Sequence, residues 1–309
     1  MNPITEKLQR SWQLFKRSVQ VLRDHPKLLI FPALTGLFTM GMALFFLVPV
    51  ALVVLVPHWI QGTWINAVAN SIGSLHPRHG RGFDFQLHSA GAGILAGMYL
   101  LDMFLATMCS VAFNSEILEA LSGRGVSIRH GLEVACRRWK VVLLWSLLAG
   151  IVGLIIRAIE DRLALVGRLV AGLIGLAWGV AATFAIPILV REPSISNPFD
   201  ILSKSAATIE RTWGEMLAGY VGMKGSNLLF FSFSILFWLA TGAAALVLSN
   251  GWVFLMAGVP WLLLLIAYSY LASLASRVYL CALYLYASDG VVPGYYEPSM
   301  MTMGWKLRK

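Results

Sequence analysis

The sequence predicts an all-α, polytopic transmembrane helical bundle of about six spans, and three observations predict it. Of the 309 residues, 58% are hydrophobic and 13% charged, far more apolar surface than a water-soluble core of this length buries. Mean hydropathy is +0.73. Six apolar stretches reach the roughly 20 residues of a helical crossing, and polar residues gather in short segments between them. Because backbone groups in hydrocarbon must bond within their own segment, such stretches read as helices.

The spans run over about 28–56, 90–121, 141–157, 163–190, 216–248 and 252–287. Pro32, Pro49, Pro187 and Pro260 fall inside them and predict kinks or tilt. Between the third and fourth spans the polar break is 157–162, and between the fifth and sixth it is Ser249-Asn250-Gly251, so both connections are tight hairpins. The first apolar run lacks a small-residue cleavage site at signal-peptide distance, and its basic, amphipathic leader is expected to stay. The whole of 1–309 is one membrane domain with a long outer loop at 57–89.

Orientation follows from the basic residues. Seventeen Lys and Arg fall in the N-terminal segment, the second and fourth loops and the C-terminal tail, against five in the other loops. Positive segments stay on the cytoplasmic side, so a multi-pass cell-membrane protein with both termini cytoplasmic is expected. The net charge of +9 sits in short runs beside apolar segments, which points to anionic headgroups on the cytoplasmic face rather than to nucleic acid. Cys109, Cys136 and Cys281 have no CxxC spacing and no disulfide framework.

Each cytoplasmic segment before a hairpin carries an apolar stripe at i, i+4, i+7: Phe15, Val19 and Leu22; Ile128, Leu132 and Ala135; Leu202, Ala206 and Ile209. One helical face is apolar in each case. Arg17-Ser18-Val19 aligns with Lys204-Ser205-Ala206. These patterns predict three parallel repeats, 5–121, 127–190 and 197–287, each an amphipathic surface helix followed by a transmembrane hairpin. Gly93 with Gly97, Ala149 with Gly153, and Gly175 with Gly179 stand at helix-packing spacing; they read as intrabundle contacts, with a homo-oligomer or membrane-protein partner as the alternative.

Ala112-Phe-Asn-Ser115, Leu121-Ser-Gly-Arg-Gly125, Gly131-Leu132, Ala135, Arg138 and Trp145 form a series that continues through Ala177-Trp178, the run 184–190, Ser205 and Thr212-Trp-Gly-Glu215. In these residues the chain resembles a family of uncharacterised bacterial and archaeal six-span membrane proteins. The resemblance implies the span count and no activity, and it does not reach the histidines of the outer loop.

Charged groups at membrane depth are costly unless paired or hydrated. Asp102 lies about 16–18 Å from the outer end of its span, and Lys224 about 12 Å from the inner end of the fifth. An Asp102–Lys224 ion pair with Asn227 one turn away is expected; it either fixes helix packing or lines a proton or ion path, unless Lys224 snorkels to headgroups. Glu116, Glu119 and Arg277 mark the inner ends of spans two and six and read as solvated, snorkelling or interhelical charges. In the outer loop, Trp59, Trp64, Val68, Ile72 and Leu75 form an amphipathic stripe. His76, His79, Asp84 and His88 follow it, a weak zinc or copper ligand set without HxH or HExxH spacing; otherwise the loop is surface.

No P-loop, Rossmann, nucleophile-elbow or haem motif occurs, so no cofactor is expected. The leading reading is a non-enzymatic scaffold or assembly component of the membrane that binds lipid or partner proteins. The alternatives are a small transporter or channel using Asp102 and Lys224, and a membrane-embedded enzyme acting on lipid, which needs Glu116, Glu119 and Arg277 in one cleft.

Overall fold

A computed structural model describes residues 3–55, 73–77, 83–162 and 164–297, with side chains described at 12–44, 88–89, 91, 93–160, 167–210 and 230–297. Helix α1 (Pro3–Asp24) stops before Pro26, whose ring pushes the preceding residue out of the α region; His25 has φ −126° and ψ 70°. A 3-10 turn, Pro26–Leu29, leads into α2 (Ile30–Leu55). Then come strands β1 (Gly73–Pro77) and β2 (Phe83–Leu87), an antiparallel pair, and α3 (Ser89–Leu121). The chain turns out of α3 through Gly123 at φ 75°, a left-handed conformation that glycine adopts without a Cβ penalty.

Helix α4 (Ile128–Arg137) is capped by Ser127, whose hydroxyl accepts from the His130 N–H at 3.5 Å. After Arg138 follow α5 (Trp139–Arg162), α6 (Ala164–Ala181) and the short α7 (Ala185–Arg191). Asn197 caps α8 (Pro198–Val247), with proline in its first turn, where the missing N–H costs nothing. Asn250 caps α9 (Gly251–Asp289), which ends on Gly290 at φ 68°. Among the described residues six helical stretches are long and apolar enough to cross a membrane: Pro26–Leu44, Gly93–Leu121, Trp139–Glu160, Gly167–Arg191, Phe230–Val247 and Gly251–Asp289. The protein is a six-span helical bundle.

The buried core does not lie at mid-span. It lies at the end of the bundle where α1 and the 290–297 segment meet, formed by the last turns of α3, by α7, by the second half of α9, and by α1, α4 and the start of α8. Along the rest of the spans, large apolar side chains such as Leu173, Leu236 and Leu263 stand open, as lipid-facing residues do. Helix α4 packs on α3, α1 on α9, and the start of α8 on α7.

Four sequence expectations are corrected. The surface helix expected before the fifth span and the span itself form one continuous helix, α8; no proline interrupts it, whereas Pro26 separates α1 from α2. The kink predicted at Pro187 is present as a break in the fourth span at 182–184, because proline can neither donate to the carbonyl four residues earlier nor avoid its bulk. Leu75, placed on a helical stripe, lies in β1; 56–72 are outside the described residues, so the Trp59–Ile72 part of that stripe is too. The buried lines of the amphipathic helices keep the last residue of each predicted stripe, Leu22, Ala135 and Ile209, but otherwise run one residue earlier. Ser18, Gly131 and Ser205 are buried, while Leu132 and Ala206 are exposed. Of the small-residue pairs, Gly153 meets the Tyr99 hydroxyl, where a Cβ would lie 3.0 Å away, but Gly93, Gly97, Gly175 and Gly179 face open space.

Candidate functional site

Glu116 is the pivot of the core. It projects from the end of α3 and is fully buried. The Ser127 N–H donates to its Oε2 at 2.6 Å, and His130 Nδ1 lies 2.7 Å from its Oε1. A carboxylate at the N-terminus of α4 satisfies an end N–H that has no helical partner, so α4 is seated on the acid. The close approach needs Gly131, buried one residue beyond His130; a Cβ there would lie 2.7 Å from the Ala112 carbonyl oxygen and 2.9 Å from Glu116 Cγ. Glu116 is thus an interhelical group, not a solvated one. Glu119, one turn away, faces out and pairs with Arg124 through a 2.9 Å hydrogen bond.

Arg138 closes the next junction. Its guanidinium donates to the carbonyls of Leu189, Glu192 (2.9 Å), Pro193 (3.4 Å) and Ile195 (2.6 Å), which tie off the last turn of α7 and the loop after it. Burial lowers its pKa from the ordinary guanidinium value, but an arginine keeps its charge there. Glu192 in turn accepts from Lys204 and, at 3.2 Å, from the Tyr284 hydroxyl, and the buried Ser205 hydroxyl accepts the Phe184 N–H at 3.0 Å where the fourth span is broken. Replacing Arg138 with alanine is expected to cost about 2 kcal/mol, since hydrogen bonds from a charged donor are worth that order. A fall in the thermal midpoint of the detergent-solubilised protein, with Arg138→Lys recovering only part of it, is the measurement.

The segment after α9 straps α1 in place. Tyr296 is buried with its hydroxyl 2.8 Å from that of Ser18, Arg17 bonds Glu297 at 3.0 Å, and Tyr295 lies 3.4 Å from His25 Nε2. Burial holds the Tyr296 phenol well above its ordinary pKa of 10.0. The neutral form is therefore the folded form. Stability from this group is complete below about pH 10 and is lost as pH rises toward the raised folded value, because the released chain ionises first. Absorbance of tyrosinate during alkaline titration should rise together with release of the strap; a Tyr296 titrating at the ordinary value with α1 still attached would contradict this.

Arg277 occupies different surroundings. On α9 it follows Ser269, Ser273 and Ser276, which stand at i, i+4 and i+7 along one face. These residues, with Asn114, Thr183 and Pro187 among others, line a cavity of about 440 Å³ between α3, α7 and α9. A second cavity, of about 310 Å³, lies between α2, α3 and α9 and shares Ser273 and Arg277. The guanidinium donates one long hydrogen bond, 3.5 Å, to Ser110. Beside it Cys281 donates to Asn114 Oδ1 at 3.0 Å. Cys109, Cys136 and Cys281 are free thiols.

Asp102 accepts from the Thr39 hydroxyl at 3.2 Å across the α2–α3 hairpin. Lys224 and Asn227 lie on α8, but their side chains are outside those described, and so is the expected ion pair. Of the outer-loop ligand set, the strand pairing places His76 directly opposite Asp84, and His88 precedes the first turn of α3; His79 lies outside the described residues. Among the described residues no group of three His, Cys, Asp or Glu stands close enough to hold a metal ion.

The structure therefore disperses the three inner-end charges: Glu116 goes into α4, Glu119 to Arg124, and Arg277 to a serine-lined cavity. Sequence reading missed His130, Gly131, Ser110 and the serine face. The serines were legible as the one polar line on an otherwise apolar span. Residues 89–294 match the Family of unknown function (DUF6159). The chain belongs to that family. The DUF6159 region begins at α3 and ends in the strap, so it contains Glu116, Gly131, Arg138, Arg277 and the serine face. Thr39, Ser18 and the α2 wall of the second cavity lie ahead of it. No curated protein and no solved structure matches the chain.

Proposed function

We propose that this protein is a non-enzymatic scaffold or assembly component of the cell membrane. In this reading both termini are cytoplasmic and the basic face engages anionic headgroups. The observation that carries it is the use of the core acids: Glu116, Glu119 and Glu192 each hold a neighbouring segment by hydrogen bonds or ion pairs, which among the described residues leaves no converging pair for acid–base work. The three proposed repeats fit the same reading. Each amphipathic helix packs on the second span of another unit, α4 on α3, the start of α8 on α7 and α1 on α9, a cyclic arrangement that ties the units into one body.

A small transporter is the second reading, favoured by the polar cavity between α3, α7 and α9. Reconstitution into proteoliposomes separates the two. The scaffold reading expects no ion or proton flux that depends on Asp102; flux above that of empty vesicles, falling with Asp102→Asn, would replace it with the transporter.

A further inference from the structure

We infer that Arg277 and the serine face of α9 hold the phosphate of an anionic lipid, with an acyl chain of that lipid in the adjoining cavity against α2. The inference rests on the lipid-binding part of the scaffold reading and gives it a site.

Of the described arginines, Arg17, Arg124, Arg137 and Arg191 each reach a carboxylate, Arg138 reaches four carbonyls, and Arg23, Arg129, Arg157 and Arg168 are exposed away from the two cavities. Arg277 has five N–H donors and, among the described residues, one long bond to a neutral hydroxyl. Among the described residues no acidic side chain lines either cavity that it faces. Ser269 and Ser273 add hydroxyl donors on the same wall. A planar guanidinium fork with hydroxyls around it matches the oxygens of a phosphate.

Depth selects the source of that phosphate. α9 starts at Gly251, and Arg277 is about 39 Å along it at 1.5 Å per residue, beyond the roughly 30 Å hydrocarbon layer and at the level of headgroups. The second cavity continues from Arg277 along Phe31, Pro32, Gly36, Cys109 and Phe113, an apolar wall that runs back toward hydrocarbon depth. A polar chamber and an apolar one joined at a cation fit an amphiphile better than a free ion.

Purified protein would be examined by native mass spectrometry after exchange into micelles containing phosphatidylglycerol, phosphatidylcholine, or inorganic phosphate without added lipid. One phosphatidylglycerol retained per chain is expected, with retention lowered roughly tenfold by Arg277→Gln and less by Arg277→Lys. Gly36→Leu fills the chain cavity from a position where a Cβ meets nothing within 4 Å, and should lower lipid retention in a protein that keeps its thermal midpoint. Equal retention by wild type and Arg277→Gln would overturn the inference. So would inorganic phosphate binding as well as lipid with no effect of Gly36→Leu, which assigns the site to a soluble phosphate. Asp102-dependent flux would remove the scaffold reading without touching these outcomes.

Discussion

Replacing Gly131 with leucine is expected to unseat α4 from α3 and leave little folded protein. An added Cβ alone would lie 2.7 Å from the Ala112 carbonyl oxygen, 2.9 Å from Glu116 Cγ and 3.2 Å from Phe31 Cζ. The first of these is backbone of a packed helix and cannot rotate away. Alanine gains about 1 kcal/mol over glycine as a helix former, while overpacking of a tight contact costs about 1–3 kcal/mol. Gly131→Ala should therefore be destabilised by about 0–2 kcal/mol net, and the leucine variant, with three more carbons and nowhere to put them, by more than the bundle tolerates. Gly97→Ala is the control, since nothing lies within 4 Å of a Cβ there. Size-exclusion profiles and thermal midpoints of the three variants check the order. A Gly131→Leu protein that remains monodisperse with an unchanged midpoint would show that α4 is not seated as described.

The second large effect concerns the acid beneath that helix. Glu116 is fully buried and receives the Ser127 N–H at 2.6 Å with His130 Nδ1 at 2.7 Å. Glu116→Leu removes the charge and both acceptors while leaving a helix-end N–H unpaired, a loss on the order of 1–3 kcal/mol for an unsatisfied buried donor. Glu116→Gln keeps one acceptor oxygen and should cost less. His130→Ala should cost least, because the His130 side chain is half exposed and water can replace it. A double-mutant cycle between positions 116 and 130 should return a coupling of about 1–2 kcal/mol. Coupling near zero would mean that the carboxylate is held by the Ser127 N–H alone.

The two effects show where sequence reading worked and where it stopped. Six spans, the tight break at Ser249-Asn250-Gly251, and an apolar face on α1 and α4 follow from local chemistry, because propensity, proline and glycine geometry and hydropathy act within a few residues. The offset of one residue between the predicted stripes and the buried lines has a plain cause. Ser18, Gly131 and Ser205 are small or polar and do not score as apolar, yet they are buried because a helix lies against them, and smallness is what allows it. The 39-residue α9 raises the same problem at larger scale. It is apolar around most of its circumference, so its sequence cannot report which face meets protein and which meets lipid.

The sequence by itself determined a membrane bundle of six spans with most of its basic residues in the N-terminal segment, the second and fourth loops and the C-terminal tail, since length and polarity decide whether a segment can cross hydrocarbon. Only the tertiary structure decided that Glu116 seats α4, that Arg138 closes the turn after α7, and that Arg277 looks into a serine-lined cavity. Protein interior and lipid are equally apolar, so hydropathy is silent about the choice between them. That choice is made by shape and by the pairing of a few polar groups, and their partners stand far apart along the chain.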